Sequence, residues 1–354
     1  MSLWVVVGGQ YGGEGKGKIS AFLTQREGID ICIRCGGPNS GHSFLDTGGR
    51  TVLLRQLGTG YVRPQTRLLI PAGALIDLDV LKYELDTFGI DPKRVGVDRN
   101  ATIIEESDKH RELEFNLRER LSSTLCGVGS AVARRALRGV DVRTAEIAAR
   151  QVSWLTELIT DVSEEANRAL DSGKKILIEG TQGFGLSLYH STCYPKATSR
   201  DTTAAAFLSE IGLSPLLVTE IVLVFRTFPI RVAGFQAGPL QHEVTWEDIQ
   251  RESGYPFPIQ EMTTVSKKLR RVGRFEWDEA KKAAVANRPT RIALNGLDYI
   301  DFRNRDVTSS ENLTKAACDF VRNVQDQLGS PVTIWGTGPR IEDCSDQMLL
   351  PQFA

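Results

Sequence analysis

Val5-Val6-Val7-Gly8-Gly9-Gln10-Tyr11-Gly12-Gly13-Glu14-Gly15-Lys16-Gly17-Lys18 passes from an apolar strand into a glycine-rich turn, and the following Ile19-Ser20-Ala21-Phe22-Leu23 reads as a helix. Six of the ten residues from Gly8 to Gly17 are glycine, more than a plain strand–helix connection needs. A backbone stripped of side chains can approach a phosphate closely with its N–H groups inward, at the positive end of the helix, and Lys16 and Lys18 add charge there. The stretch therefore predicts a nucleotide-phosphate cradle. Gly12, Gly17 and Lys18 satisfy G-x-x-x-x-G-K, but Ile19 stands where that pattern has a Mg²⁺-binding hydroxyl, so a metal must find its oxygen ligands elsewhere.

Outward from this turn, strand-like runs recur at Trp4–Val7, Asp30–Cys35, Thr51–Leu54, Arg67–Ile70, Lys175–Glu179, Ile221–Phe225, Arg291–Leu294 and Val332–Trp335. Helical patterns lie between several of them. Leu313, Ala316, Ala317, Phe320, Val321, Val324 and Leu328 share one face of a helix that Gly329-Ser330-Pro331 ends, and Asp77 to Phe88 and Thr144 to Leu170 read as two more. The alternation predicts an α/β fold: a mainly parallel central sheet with helices on both faces and a P-loop-like turn, ligands sitting beyond the carboxyl ends of the strands. No repeat, low-complexity tract or long linker interrupts it, so residues 1–354 are expected to form one large domain with inserted loops.

The formal net charge of −1 gives no global field to recruit nucleic acid or a membrane, and neither is expected as a partner. No apolar run approaches the length of a membrane span, and six cysteines are too few for a disulfide framework in 354 residues; both favour a cytoplasmic location, a host's cytoplasm for a viral protein. Cys32 and Cys35 form a C-x-x-C without a second pair to complete a zinc site, and read as buried thiols.

Several polar segments follow strands or stand apart from helices. Cys35-Gly36-Gly37-Pro38-Asn39-Ser40-Gly41-His42-Ser43 places His42 in an irregular loop, as a candidate general acid or stabiliser of transferring phosphate charge. Ser123-Thr124-Leu125-Cys126-Gly127 precedes Arg134-Arg135, Glu179-Gly180-Thr181-Gln182-Gly183 follows a strand, and Tyr194 to Thr203 contains Thr198. From Lys267 to Arg274 five of eight residues are cationic, behind Thr263-Thr264; this is either a solvated helix face or a loop that clamps a dicarboxylate or phosphate. Asn295-Gly296-Leu297-Asp298 and Gly336-Thr337-Gly338-Pro339 each follow an apolar strand, where base-reading loops are expected.

In this order, from Trp4 to the C-terminal tail, the segments resemble the adenylosuccinate synthetase family. The resemblance implies a Mg²⁺-dependent ligase that phosphorylates the 6-oxygen of a purine monophosphate and lets the amino group of L-aspartate displace the phosphate. It implies that Gly12, Gly15, Lys16, Gly17 and Lys18 cradle the triphosphate, with Asp298, Gly338 and Pro339 at its base. His42 would be the acid at the 6-oxygen, assisted by Gln182, and the carbonyl of Gly41 a Mg²⁺ ligand. Asn39, Ser123, Thr124, Gln182 and Thr198 would hold the purine monophosphate, and Thr263, Thr264 and Arg270 the aspartate. Arg134 would extend into a neighbouring subunit's site, implying a homodimer.

Three positions depart from the family pattern. Gly13 stands where an Asp serves as base for the purine N1 proton and as metal ligand, Gly296 where a Lys is usual, and Gly336 where a Ser is usual. Loss of the carboxylate at Gly13 is expected to leave space beside purine C2 for a 2-amino group. This resembles the variant branch, also short, that condenses dGMP with L-aspartate to N6-succino-2-amino-2′-deoxyadenylate, a 2-aminoadenine DNA precursor. Gly296 and Gly336 weaken a guanine donor, so ATP or dATP is favoured. Two other readings fit the same residues: an ordinary synthetase using IMP and GTP, and an inert nucleotide-binding relative.

Overall fold

The computed structural model describes residues 2–46, 48–139, 142–263 and 267–348. Its centre is a ten-stranded sheet, in spatial order Cys344–Asp346, Val332–Gly336, Arg291–Asn295, Glu220–Arg226, Ser2–Gly8 (β1), Lys175–Glu179, Ile31–Arg34, Arg67–Ile70, Val95–Asp98 and Ile159–Thr160. Every neighbouring pair is parallel except the edge pair Val332–Gly336 with Cys344–Asp346. Successive residues of a strand point to opposite faces, so Leu3, Val5 and Val7 of β1 enter one apolar core while Trp4 and Val6 enter the other. Helices cover both faces, which explains why the strands are continuously apolar rather than alternating.

The same alternation disposes of the C-x-x-C. Cys32 belongs to one core and Cys35 to the other, both fully buried, on opposite faces of the sheet.

Three expectations change. Thr144 to Leu170 is not one helix but Ala145–Ala149, Ser153–Thr156 and Val162–Asp171, with the strand Ile159–Thr160 between the last two. Thr144 and Asp161 each cap a helix start with their side chains, and the β-branched Val152 and Ile159-Thr160 take extended backbone. Thr51–Leu54 is a strand outside the main sheet, paired antiparallel with His42–Leu45. His42 therefore opens a hairpin strand rather than sitting in an irregular loop.

A small antiparallel sheet, Ile230–Arg231, Arg271–Gly273 and Glu243–Val244, has its own apolar cluster around Trp246, Tyr255 and Val272. It brings Ile230, Thr263 and Arg270 to the carboxyl ends of the central strands.

Candidate active site

A cavity of about 930 Å³ opens at those carboxyl ends. Its walls come from the turn after β1, the loop before His42, and residues following the strands that end at Glu179, Arg226, Asn295 and Gly336. Gly12 to Lys18, Asn39, Gly41, His42, Ser123, Thr124, Gln182, Thr263, Arg270, Asp298, Gly338 and Pro339 all line it, although they span most of the sequence.

The phosphate turn is shaped by a buried anchor. Glu14 Oε1 accepts from the backbone of Gln10 (3.1 Å) and Gly12 (2.8 Å), while its Oε2 pairs with Lys16 Nζ at 2.6 Å. Asn295 Nδ2 holds the Glu14 carbonyl at 2.8 Å, and Lys18 Nζ reaches the Gly338 carbonyl at 2.7 Å, tying the turn to the Gly336–Pro339 loop. Helix α1 (Lys16–Glu27) starts at Gly15 without a side-chain cap, leaving its first N–H groups for an anion. Glu14 is thus committed to the turn's architecture and is not placed as a replacement base. Gly183 packs so closely that a Cβ there would fall 2.5 Å from the Gln10 carbonyl and 2.6 Å from the Gly12 nitrogen, both backbone of the turn. G183A should cost about 1–3 kcal/mol from overpacking and weaken triphosphate binding roughly tenfold; calorimetric titration of nucleotide and urea melts check both numbers.

His42 is backed by a buried charge pair absent from the sequence reading. Glu179 Oε1 accepts from His42 Nδ1 (2.5 Å) and Arg34 Nη1 (2.8 Å), and Glu179 Oε2 accepts from the Thr59 backbone (2.7 Å) and hydroxyl (2.8 Å). Burial alone would raise the Glu179 carboxyl, but His42, Arg34 and Thr59 together hold it down to about 2. Burial and the Arg34 charge lower the His42 imidazole to about 4. His42 Nε2 is buried without a partner among the described residues, as expected of an atom that waits for a ligand. A Cβ at Gly17 would lie 2.5 Å from His42 Cβ, so glycine there permits the imidazole to rest on the phosphate turn.

At Gly13 the expected open space is corrected. The residue adopts φ +72°, and a Cβ would sit 2.7 Å from Ile230 Cδ1 and 3.5 Å from Arg270 Nη1. An aliphatic methyl, not a void, stands where the side chain would go. The Gly13 carbonyl accepts from Arg226 Nη1 (3.1 Å), and the same guanidinium pairs with both oxygens of Glu261 (2.9 and 2.5 Å). Gly13 therefore brings no side-chain ligand to a metal, and among the described residues no group of three or more His, Cys, Asp or Glu is arranged to hold one. The donors on hand, the Gly41 carbonyl and the backbone of the phosphate turn, suit a Mg²⁺ that arrives on triphosphate oxygens and keeps waters.

The other departures have local causes. Gly296 has φ +84°, disfavoured for a Lys, and a Cβ at Gly336 would meet Asn295 Oδ1 at 2.4 Å and Lys18 Nζ at 2.6 Å. Asp298 is buried, and burial raises its carboxyl above the ordinary range despite Tyr255, Arg305 and Lys18.

Two purine-site candidates stand off the cavity wall, and one aspartate-site candidate lies outside the described residues. Arg134 is only 7% exposed, its Nη2 2.7 Å from Asp108 Oδ2 and 2.9 Å from the Ile103 carbonyl of its own chain. Thr198 does not line the cavity; its backbone N–H donates to the Leu186 carbonyl. Thr264 falls outside the described residues, whereas Thr263 is buried at the wall and accepts from the Lys268 backbone at 2.8 Å. The basic run is a loop that continues into the strand Arg271–Gly273, not a helix face.

A family model described as adenylosuccinate synthetase matches residues 5–153 and 139–305. The adenylosuccinate synthetase of Thermococcus onnurineus is 39% identical over 352 residues, covering 98% of this chain and 99% of the relative. That of Methanocaldococcus jannaschii is 39% identical over 347 residues, covering 97% and 96%. Short length is therefore shared with ordinary synthetases and does not mark the variant branch. Among solved structures, the cyanophage S-2L succinoaminodeoxyadenylate synthetase bound to dGMP and dATP superposes with a TM-score of 0.81 at 27% identity, over 97% of this chain and 94% of that one. The fully ligated adenylosuccinate synthetase of Plasmodium falciparum shares the fold, with a TM-score of 0.84 at 20% identity over 98% and 100%.

Proposed function

The chain belongs to the adenylosuccinate synthetase family of C–N bond-forming ligases, and on that premise we propose that it condenses dGMP with L-aspartate, using ATP or dATP, to give N6-succino-2-amino-2′-deoxyadenylate. The γ-phosphoryl group would pass to the guanine 6-oxygen as the N1 proton leaves to water, and the aspartate amine would then displace phosphate at C6, giving up one of its own protons. Mg²⁺ carried on the triphosphate would neutralise the transferring charge. Lys16, Lys18 and the phosphate turn would hold the donor. His42 Nε2 would meet the 6-oxygen, where the incoming phosphate charge would raise the imidazole enough to carry the proton it supplies, and Gln182, Asn39, Ser123 and Thr124 would seat the purine nucleotide. Thr263 and Arg270, with Thr264, would hold the aspartate carboxylates. One large domain over residues 1–354, a homodimer without Arg134 as its bridging residue, and a cytoplasmic location complete the proposal.

The observation that carries it is Gly13: no carboxylate faces the cavity there, and Ile230 occupies the direction such a side chain would take. Charged oxygens and their hydration are thus kept from the C2 side of the base. The dGMP-bound relative of the same fold supports the reading. The ordinary reaction on IMP with GTP is favoured by a different observation, the higher identity to curated adenylosuccinate synthetases, 39% against 27%.

Purified protein given aspartate, Mg²⁺ and ATP should release phosphate with dGMP at least tenfold faster than with IMP; turnover of IMP alone would overturn the proposal. G13D should cut dGMP use roughly tenfold or more, since left-handed backbone and Ile230 both oppose the new side chain, together about 1–3 kcal/mol. Pairing it with I230A should restore folding stability while dGMP use stays impaired. Unchanged dGMP kinetics in G13D would count against the role given to this position.

A further inference from the structure

Asp298 lies in the single turn Leu297–Tyr299, directly after the strand Arg291–Asn295, and is 3% exposed. Its Oδ2 accepts from the Tyr255 hydroxyl and from Arg305 Nη1 at 3.0 Å, and Arg305 Nη1 also donates to the Tyr255 oxygen at 2.8 Å. Two donors fill both lone pairs of that carboxylate oxygen. Oδ1 has no hydrogen-bond partner among the described residues, and Asp298, Tyr255, Arg305, Gly296 and Gly338 all line the cavity. Tyr255 is held where it is. Its ring centroid lies 4.6 Å from that of Phe302, 5.4 Å from Phe257 and 5.7 Å from Tyr299, a packed aromatic group that fixes the hydroxyl on Oδ2.

The two purine bases ask different things of such a carboxylate. Guanine offers N1–H and its 2-amino group side by side and needs both oxygens; adenine offers the 6-amino group and needs one. A guanine placed here would leave one desolvated donor unpaired, a loss worth on the order of ten- to a hundred-fold in affinity.

We propose that Tyr255 and Arg305, by occupying Oδ2 of Asp298, are specificity-determining residues that select an adenine over a guanine phosphate donor. This rests on the placement of the donor base at Asp298 in the function proposed above. Calorimetric titration of the full chain with Mg·ADP and Mg·GDP, without acceptor or aspartate, tests it apart from the ligase reaction. The wild type should bind ADP at least tenfold more tightly than GDP. Y255F keeps the aromatic packing and frees a lone pair on Oδ2; it should narrow that preference roughly tenfold, chiefly by tightening GDP. R305Q should move it in the same direction. A wild type that binds GDP as tightly as ADP, or a preference unchanged in both variants, overturns the proposal. An ADP preference that responds to Y255F in a protein that does not turn over dGMP upholds it and overturns the acceptor reading alone.

Discussion

Replacing Glu179 with alanine should destabilise the protein by about 3–5 kcal/mol, because it leaves the Arg34 guanidinium buried and uncompensated. Arg34 is 1% exposed, and apart from Glu179 its Nη1 meets His42 Nδ1 at 2.8 Å while its other nitrogens donate to the Ser40 and Arg55 carbonyls, none of which can neutralise it. The same change strips His42 Nδ1 of its acceptor, so the imidazole loses its orientation as well as the one negative charge that favours its protonated form. Urea denaturation reports the first effect and steady-state turnover the second. E179Q separates them: it keeps a hydrogen-bond acceptor but loses the charge, and should fall between wild type and E179A in both measurements. Acid dependence gives an independent check. A carboxyl whose folded value is depressed to about 2 from an ordinary 4.5 contributes stability that is fully present above pH 4.5 and drains away as pH falls toward 2. E179Q should lack that part of the acid loss. An E179A protein as stable as the wild type would show that Arg34 finds another partner.

H42N should lower kcat by about 10²–10⁴-fold, the range for removal of a positioned general acid, with little change in the KM for either nucleotide. Asparagine retains a donor for Glu179 and a similar volume, so the fold should be nearly unaffected. The chemistry is what changes. His42 Nε2, unpartnered in the buried wall among the described residues, is the atom that the proposed reaction assigns to the purine oxygen or the transferring phosphate. Aspartate-dependent phosphate release under saturating substrates measures the loss. An unaltered kcat would remove His42 from the reaction and return it to a structural role.

What was legible in the sequence and what was not divides by range. The phosphate turn is local: glycines and lysines at fixed offsets after an apolar strand leave little choice, and Gly12 to Lys18 fold as read. The parallel sheet was also legible, since its strands are short apolar runs separated by helical ones. The pair that supports His42 was not, because Glu179 and Arg34 lie 145 residues apart and meet only through strand register. A signal did exist: both apolar strands end in opposite charges at matching positions, which is costly unless the charges pair. The partner of Arg134 was equally illegible: its role came from the family resemblance, and Asp108, 26 residues earlier, meets it only in the fold. Ile230 and Tyr255 could not be read at all, as neither type announces a site; only the small antiparallel sheet and its aromatic cluster carry them to the cavity. The long stretch from Thr144 failed for a simpler reason: apolar periodicity outweighed the capping residue Asp161 and the β-branched pair before it.

The loops that meet in the cavity leave the sheet from separate strands. Gly13 follows β1, Gly296 and Asp298 follow Arg291–Asn295, and Ile230 and Tyr255 come to the cavity with the small sheet. In the function proposed above, choice of the nucleotide that is built upon would rest chiefly on the turn after β1, and choice of the fuel on the turn after Arg291–Asn295. A lineage could exchange one without rewriting the other, and the two preferences need not share a history.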